Sequence, residues 1–224
     1  MYTLYSYWRS SSAWRVRLVL EVKEIPYTIH PIHLIKDGGE QHSAWYTQKN
    51  PLTQIPALEF TDVQGKPQLL TQSVAIAEYL EAMHPSPSVF TPNPLTNATI
   101  RQIVEIINSG IQPLQNLAVL QFIDSLDPSE RAKKAFAKKV IEKGLRAITA
   151  IVQTTPNTHF LCAEHPTFAD CCLIPQLYNA RRFGCSMEGM ERLLEVETRL
   201  EQLSAFQKAH PDQQLDCPNT QPHI

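Results

Sequence analysis

The segment Y-S-Y-W-R-S-S-S-A-W-R-V-R-L-V-L, Tyr5 to Leu20, decides how this chain is interpreted. An aromatic and apolar run ends in three consecutive serines, and an amphipathic run with arginines follows. This order predicts a strand, a turn and the start of a helix. Serine is favoured just before a helix because its hydroxyl oxygen accepts a hydrogen bond from an N–H group of the first turn. The same N–H groups stabilise an anion such as a thiolate, so the serines indicate either an ordinary helix cap or an anion site.

Length and composition describe a globular protein that folds in water. The 224 residues are 43% hydrophobic and 19% charged, which suits one large domain or two small ones. The net charge of −2 gives no support for a nucleic-acid or membrane-surface partner. The sequence has no apolar run of about 18 residues or more and no recognisable signal peptide. These features predict a cytoplasmic protein.

The cysteines and histidines have no spacing typical of a metal or disulfide site. The five cysteines are Cys162, Cys171, Cys172, Cys185 and Cys217. Their odd number and adjacent pair argue against a secreted disulfide framework, and none forms the C-x-x-C unit that is common in zinc sites. We therefore expect no metal. Since the first 160 residues contain no cysteine, any thiol chemistry at the serines needs a thiol from elsewhere.

Residues 1–84 have the element order of a thioredoxin-like domain. Strands are predicted at 2–7, 26–34, 57–61 and 67–70, and helices at 12–23, 40–50 and 73–84. A βαβ crossover gives parallel strand pairing, whereas a hairpin gives antiparallel pairing. The expected fold class is α/β plus all-α, with a βαβαββα domain built on one mixed four-stranded sheet and a helical domain after it.

The composition changes after residue 84. Residues 85–94 carry four prolines and predict a stiff linker. Residues 95–224 show only helical patterns, which predicts an all-helical domain. Its helices are expected at 98–122, with a kink at Pro113, and at 129–153, 168–183 and 190–203. The polar tail from His210 onward is expected to be loose.

Two short motifs in the first domain allow a structural and a functional interpretation. In N-P-L-T-Q-I-P-A-L, residues 50–58, Pro56 begins a strand. A trans Ile55–Pro56 bond is the common form, whereas a cis bond would turn the backbone of Ile55 outward to pair with an extended peptide. Ser73 could cap the helix that follows it, or it could form a carboxylate-binding corner with Gln72 and the helix N–H groups.

Two further motifs lie at the ends of the predicted helix 168–183. P-T-F-A-D, residues 166–170, is a capping signature, so we interpret Asp170 as a structural residue. Arg181 and Arg182 could complement the helix dipole, or they could bind a dianionic substrate through bidentate hydrogen bonds. The residues alone leave these alternatives open.

Taken together, these segments resemble the zeta class of glutathione S-transferases, the family of maleylacetoacetate isomerases. The similarity covers nearly the whole chain, across both domains. It rests on Y-S-Y-W-R-S-S-S-A-W-R-V-R-L (5–18), H-L-I-K-D-G-G-E-Q (33–41), N-P-L-T-Q-I-P-A-L (50–58), Q-S-V-A-I-A-E-Y-L-E (72–81), G-I-Q-P-L-Q-N-L (110–117) and A-D-C-C-L-I-P-Q (169–176).

The resemblance implies a glutathione site. The implied cofactor contacts are Ser10, Ser11, Ser12, Ala13, Trp14, Arg15, Gln41, Ile55, Gln72, Ser73, Gln112, Asn116, Leu117 and Ala118. The three serines are also the implied catalytic residues, and Ser10 and Ser11 would face the glutathione sulfur. Pro56 is implied to be cis, and Gln72 with Ser73 would bind the γ-glutamyl carboxylate. Arg182 matches the family's arginine for the substrate carboxylate, and Arg9 is a second candidate.

The implied reaction is glutathione-dependent cis–trans isomerisation of maleylacetoacetate to fumarylacetoacetate, through thiolate addition, bond rotation and elimination. The resemblance also implies a homodimer, in which the N-terminal domain of one subunit contacts the helical domain of the other. Three alternatives are kept: a maleylpyruvate isomerase, a general glutathione transferase or dehalogenase acting on small halogenated acids, and a non-catalytic binding module.

The chain departs from the usual class motif at Ser12, where most members have a cysteine and relatives that act on maleylpyruvate lack it. If that cysteine were essential, this protein would be impaired as an isomerase. If the glutathione sulfur is the nucleophile, a serine hydroxyl at this position is sufficient. We favour the second hypothesis because the addition and elimination need only one thiolate.

Overall fold

The computed structural model describes residues 1–127 and 130–218. The chain forms two compact units, and each is described by itself. The first unit contains Met1–Val89 together with the chain from Leu203 onward, and the second contains Phe90–Gln202. The boundary at residue 89 falls inside the proline-rich segment 85–94. The units differ from the sequence-based division at the C-terminal end, where the chain from Leu203 onward belongs to the first unit.

The first unit has the predicted thioredoxin-like sheet. Its elements are β1 (Tyr2–Ser6), α1 (Ser11–Val22), β2 (Tyr27–Pro31), 3₁₀ turns at Lys36–Gly38 and Glu40–His42, α2 (Ala44–Lys49), β3 (Ala57–Thr61), β4 (Pro67–Thr71), α3 (Ser73–Met83), α9 (Ser204–Ala209) and a 3₁₀ turn at Pro211–Gln213. The strand order is β2-β1-β3-β4. β1 pairs with β2 in parallel, and the other two pairings are antiparallel. The predicted mixed sheet is therefore confirmed.

Helix α1 is buried inside the first unit. Its residues Ala13 to Leu20 are all buried, so the helix has apolar and arginine side chains covered on every side. It packs against α3 and also against α9. Leu4 of β1 and Leu58 of β3 are opposite each other in the sheet and are both fully buried. The end of β1 and the start of α1 are thus held between a sheet and two helices.

In its described residues the second unit has helices joined by loops, and no strand. Its elements are α4 (Pro94–Glu105), a π-helical segment (Ile106–Ile111), α5 (Leu117–Leu126), α6 (Glu130–Gln153), α7 (Phe168–Arg182) and α8 (Glu191–Leu200). The single kinked helix predicted at 98–122 is wrong in detail, because α4 ends early and α5 begins only at Leu117. Pro113 has no N–H group and its ring excludes the carbonyl four residues earlier, so it separates the two helices.

The prediction of a loose tail is wrong for residues 210–218. Pro211–Gln213 forms a 3₁₀ turn, and the side chains of Gln214 and Cys217 are buried. The Gln214 amide donates to the carbonyls of Lys208 (3.0 Å) and His210 (2.9 Å). The chain there is ordered by these hydrogen bonds together with a few buried side chains, which its polar composition did not indicate. Residues 219–224 lie outside the described chain.

None of the described helices has the length and apolar character needed to cross a lipid bilayer.

Candidate active site

The three serines lie at the start of α1, as the sequence predicts. Ser10 is the N-cap residue, and its hydroxyl oxygen accepts a hydrogen bond from the Ala13 N–H group at 3.3 Å. Its own N–H group donates to the Tyr7 carbonyl at 2.9 Å, which closes the turn after β1. Ser11 and Ser12 occupy the first helical turn, where N–H groups have no carbonyl partner within the helix. The helix dipole therefore adds positive potential at these two residues.

The hydrogen bonds of the three hydroxyl groups are not equivalent. Ser12 Oγ donates to the Ile55 carbonyl at 3.1 Å and lies 3.2 Å from Ser10 Oγ. A hydroxyl has one proton to donate, so Ser10 must donate to Ser12 Oγ. The resulting chain runs from the Ala13 N–H group through Ser10 and Ser12 to Ile55. In residues 1–127 and 130–218 the half-buried hydroxyl of Ser11 has no hydrogen-bond partner, and its proton is available to a ligand.

The Ile55–Pro56 bond is cis, as the resemblance implied. Ile55 directly precedes Pro56 and β3, and its side chain is buried. The hydrogen bond from Ser12 therefore joins the first turn of α1 to the chain just before β3. Two of the expected glutathione-binding elements are connected in this way.

Gln41 lies in the 3₁₀ turn Glu40–His42, with its side chain buried against Gly39. Its amide nitrogen donates to the Leu34 carbonyl at 3.3 Å. Its Oε1 atom is buried and has no hydrogen-bond partner within the described chain. Buried polar atoms are nearly always paired, so this oxygen is suited to accept a hydrogen bond from a ligand N–H group. A peptide ligand would supply such a donor.

Gly39 is expected to be necessary for this position of Gln41. Its φ is +102°, and a Cβ atom there would lie 2.6 Å from Gln41 Oε1 and closer still to Nε2. Gly39→Ala should therefore displace the amide and weaken glutathione binding by about five- to twentyfold. Gly38→Ala is the matched control, because Gly38 also has a positive φ of +83° but nothing lies within 4 Å of its added methyl group. Equal dissociation constants for the two variants, measured by calorimetry, would contradict this role.

Gln72 and Ser73 lie where β4 joins α3. Of the two alternatives for Ser73, capping of α3 is not observed, because Gln72 is the N-cap residue and Ser73 is the first helical residue. Gln72 has a φ of +69° and an exposed side chain, whereas Ser73 is buried. Residues other than glycine rarely adopt positive φ, and such strain is concentrated at ligand sites. The first turn of α3 also has no side-chain cap hydrogen bond from Gln72.

The other expected contacts in the first unit differ in accessibility. Ala13, Trp14 and Arg15 are 0%, 2% and 1% exposed, so a ligand could reach them only through their backbone. Arg9 is half-buried, and its guanidinium carbon lies 5.1 Å from the centre of the Trp8 ring. The cation is thus near the serine turn.

The remaining expected residues belong to the second unit. Gln112 follows the π-helical segment, and Asn116, Leu117 and Ala118 form the N-cap and first turn of α5. Arg182 ends α7, with its guanidinium carbon 5.5 Å from the centre of the Phe183 ring.

Two residues near α7 have structural partners that decide their interpretation. Asp170 is fully buried and accepts hydrogen bonds from the N–H groups of Thr167 (2.7 Å) and Leu161 (3.0 Å) and from the Thr167 hydroxyl (2.7 Å). Arg181 forms a bidentate ion pair with Glu197, with Nη1 2.6 Å from Oε1. The capping interpretation of Asp170 is confirmed. Arg181 is occupied by a carboxylate of its own unit.

Two of the cysteine thiols are held in their protonated form by burial. All five cysteines lie in the described chain and none is in a disulfide. Burial raises the pKa of the Cys162 thiol to about 12 and that of the Cys185 thiol to about 11, so both are protonated at neutral pH. In the described residues no cluster of histidine, cysteine and acidic side chains is suited to a metal ion.

Three residues of this region were missed by the sequence analysis. Gly39 is one, and the Gly-Gly pair before Gln41 was its signal. The others are Arg17 and Asp216, which contact the turn between β1 and α1. The run W-R-V-R-L-V-L alternates arginines with apolar residues, which indicates an amphipathic helix and gives no signal that Arg17 is buried.

Comparisons with known proteins agree with this geometry. Residues 9–83 match the family model of the glutathione S-transferase N-terminal domain. The chain is 44% identical to probable maleylacetoacetate isomerase 2 of Drosophila melanogaster, over 98% of this chain and 92% of the relative. It is 42% identical to the maleylacetoacetate isomerase of Anaeromyxobacter dehalogenans with bound GSH in the active site, with a TM-score of 0.88 and coverage of 97% of this chain and 98% of that one.

Two further solved structures bear on the ligand and on the enzyme class. The Anaeromyxobacter dehalogenans enzyme with bound dicarboxyethyl glutathione and citrate in the active site is 40% identical, with a TM-score of 0.87 and coverage of 98% and 95% of the two chains. A holo structure of maleylpyruvate isomerase, described as a bacterial zeta-class glutathione S-transferase, is 30% identical, with a TM-score of 0.88 and coverage of 96% and 99%.

Proposed function

Because the chain belongs to the maleylacetoacetate isomerase family of zeta-class glutathione S-transferases, we propose that it isomerises maleylacetoacetate to fumarylacetoacetate with glutathione. This reaction belongs to tyrosine and phenylalanine breakdown. The observation that carries the proposal is the hydrogen-bond chain through Ser10 and Ser12, which leaves the Ser11 proton available at the start of α1. Glutathione binding belongs to the domain before the proline-rich segment, and substrate binding to the helical domain.

The residues of the first unit bind and orient the tripeptide. Bound glutathione supplies the thiol, which as a thiolate can add to a conjugated double bond and leave it again. The Ser11 hydroxyl donates a hydrogen bond to the glutathione sulfur. The N–H groups of the first turn of α1 add positive potential there. Gln41 Oε1 accepts a hydrogen bond from a peptide N–H group of glutathione. The backbone of Ile55 forms hydrogen bonds with the extended tripeptide. Gln72 and Ser73 hold the γ-glutamyl carboxylate at the start of α3.

Ser12 serves this site through its hydrogen bond to Ile55 rather than as a nucleophile. It stands where most members of the family have a cysteine, and its hydroxyl is already committed to the Ile55 carbonyl. With all cysteines at or after Cys162, the reaction depends on the sulfur of glutathione alone. This supports the hypothesis that a protein thiol is not needed.

The substrate is a small diacid. In the relative from Anaeromyxobacter dehalogenans, the bound dicarboxyethyl glutathione and citrate place a thioether of glutathione and carboxylates in one active site. A dicarboxyethyl group on sulfur has the connectivity that thiolate addition to a four-carbon cis diacid would create. Maleylacetoacetate isomerases range from 27% to 44% identical to this chain, and the maleylpyruvate isomerase is 30% identical. The more similar of these relatives, at 40–44%, are maleylacetoacetate isomerases, which supports maleylacetoacetate as the substrate.

The experiment that tests this function compares maleylacetoacetate with maleylpyruvate in a glutathione-dependent isomerisation assay. The expected result is turnover that requires glutathione and a higher kcat/KM for maleylacetoacetate. Preference for maleylpyruvate would support that alternative. Conjugation or dehalogenation of small halogenated acids without isomerisation would indicate a general transferase. Failure to bind immobilised glutathione would indicate a non-catalytic module.

Arg182 is expected to bind a substrate carboxylate, and its neighbour is the natural control. Arg182→Ala should raise KM for the diacid by about tenfold, because one charge-assisted contact is lost. Arg181→Ala removes the same charge one residue away, but Arg181 is paired with Glu197. It should leave KM within about twofold, but it should lower thermal stability, because the buried Glu197 carboxylate loses its cation. A larger rise in KM for Arg181→Ala than for Arg182→Ala in steady-state kinetics would reverse this assignment.

The protein is further proposed to be a cytoplasmic homodimer. Both units have exposed apolar side chains, including Leu52 and Val63 in the first and Phe122 and Leu126 in the second. The five cysteines are all outside disulfides, as is usual in a reducing compartment. Light scattering at micromolar concentration should give about twice the mass of the chain, and a monomer mass would contradict the dimer.

A further inference from the structure

The segment Ala209–Cys217, here called the C-terminal segment, lies against α1. It follows α9, which packs against α1. The ring of His210 meets the Trp14 ring nearly perpendicularly, with centroids 5.4 Å apart. The hydrogen bonds of Gln214 to Lys208 and His210 then fold the chain so that Asp216 reaches the turn between β1 and α1. A segment distant in sequence thus contacts the turn that leads to the serines.

Both the N–H group and the carbonyl group of Trp8, in that turn, form hydrogen bonds to side chains from other segments. The Asp216 carboxylate accepts a hydrogen bond from the Trp8 N–H group at 2.8 Å. The Trp8 carbonyl accepts one from Arg17 Nη2 at 2.9 Å, and Arg17 Nε donates to the Ala209 carbonyl at 3.2 Å. Arg17 Nη1 also lies 3.4 Å from the Tyr7 carbonyl, which is the acceptor for the Ser10 N–H group. The turn before Ser10 is therefore fixed by side chains that lie outside it.

The negative charge of Asp216 also acts on the buried Arg17, in addition to accepting the hydrogen bond from Trp8. Arg17 is completely buried, and its hydrogen bonds go to carbonyl oxygens and to the hydroxyl of Ser6 rather than to a carboxylate. Burial lowers the pKa of Arg17 to about 10, and the negative charge of Asp216 is one of the effects that oppose this lowering. Asp216 thus stabilises both the Trp8 peptide and the buried cation that holds its other side.

We propose that Asp216 is a positioning residue: by fixing Trp8 it sets where Ser10, Ser11 and Ser12 lie relative to the bound thiol. The role in catalysis rests on the proposed function, whereas the role in ordering the turn does not. Asp216 is not itself a catalytic residue, since its contacts are with Trp8 and, through charge, with Arg17. The C-terminal segment thereby helps to position the three serines.

The test compares Asp216→Ala with wild type by hydrogen exchange and by kinetics in the full-length protein. Within residues 8–12, the amide protection of Trp8 and Ser10 should fall at least tenfold, because the acceptor of the Trp8 N–H group is lost and the turn that Ser10 closes is loosened. The pH profile of kcat/KM should shift upward by about half a unit to one unit, and kcat/KM at neutral pH should fall by about five- to twentyfold. Asp216→Asn keeps an acceptor oxygen and should recover most of the protection and activity.

Asp212→Ala is the matched control in the same segment. Asp212 is exposed and faces His210 and Cys217, with no contact to Trp8, so its loss should change neither readout. Unchanged protection of residues 8–12 in Asp216→Ala would overturn the proposal, whatever happens to activity. Lost protection with an unchanged pH profile, or equal effects of the two alanine variants, would also overturn it. Failure of the proposed function would appear in the wild-type assay alone, as an absence of isomerisation.

Discussion

Replacing Ser11 with alanine is expected to lower kcat/KM for isomerisation by about 10- to 100-fold and to raise the pKa of the bound thiol by about one to two units. The reason is the count of hydroxyl protons at the start of α1. Ser12 donates to Ile55 and Ser10 donates to Ser12, so Ser11 alone has a proton for the glutathione sulfur. A hydrogen bond to an anion is among the stronger ones, and its loss favours the protonated thiol. The pH dependence of kcat/KM measures both effects.

Two further variants separate the Ser11 hydroxyl from the fold of the turn. Ser11→Thr keeps a hydroxyl at the same atom and should recover most of the activity. Ser10→Ala removes the cap of α1, which should cost about 1 kcal/mol of stability but shift the pKa of the bound thiol less than Ser11→Ala does. A larger shift for Ser10→Ala would show that the hydrogen-bond assignment is wrong.

Asp170→Ala is expected to lower the free energy of unfolding by about 3–5 kcal/mol, the largest stability effect that the structure indicates. The carboxylate is fully buried and accepts three hydrogen bonds, two of them from the backbone of Leu161 and Thr167. Alanine leaves those donors buried without an acceptor, and it also removes the capping box of α7. Denaturant unfolding of both proteins, followed by circular dichroism, measures the difference.

Asp62 provides the matched control for Asp170. It also accepts three hydrogen bonds, from the N–H groups of Gln64 and Lys66 and from the Gln68 amide, but it is only half-buried, in the turn between β3 and β4. Water can replace the lost acceptor there, so Asp62→Ala should destabilise the protein far less. Similar losses for the two variants would mean that burial is not the reason for the effect at Asp170.

Local patterns were sufficient to predict much of the fold. The serines followed by an amphipathic run predicted that α1 begins at Ser12, and it begins at Ser11. This succeeded because a helix cap and an apolar run are both short-range signals. The T-x-x-D capping box predicted the start of α7 at Phe168. The order of strands and the hairpin were sufficient for the mixed sheet, because pairing direction follows from connection type. The break between α4 and α5 was underestimated, because Pro113 ends a helix here instead of kinking it.

The unpredicted part of the site depends on contacts between distant residues. Which serine has an available proton is decided by Ile55, 43 residues from Ser12 in sequence. The C-terminal segment was expected to be loose because it has few apolar residues. Its order depends on polar contacts such as the bond between Trp8 and Asp216, which are 208 residues apart. Such contacts have no periodicity, so composition and spacing carry no signal for them.

The central claim is that the start of α1 keeps the sulfur of bound glutathione ionised at neutral pH. The most direct measurement is a pH titration of the thiolate ultraviolet absorbance of glutathione in complex with the wild-type protein, beside free glutathione in the same buffer. A free thiol of this kind has a pKa of about 8.5, and the bound sulfur is expected to titrate at least about one unit lower. A bound pKa equal to or above that of free glutathione would contradict the account.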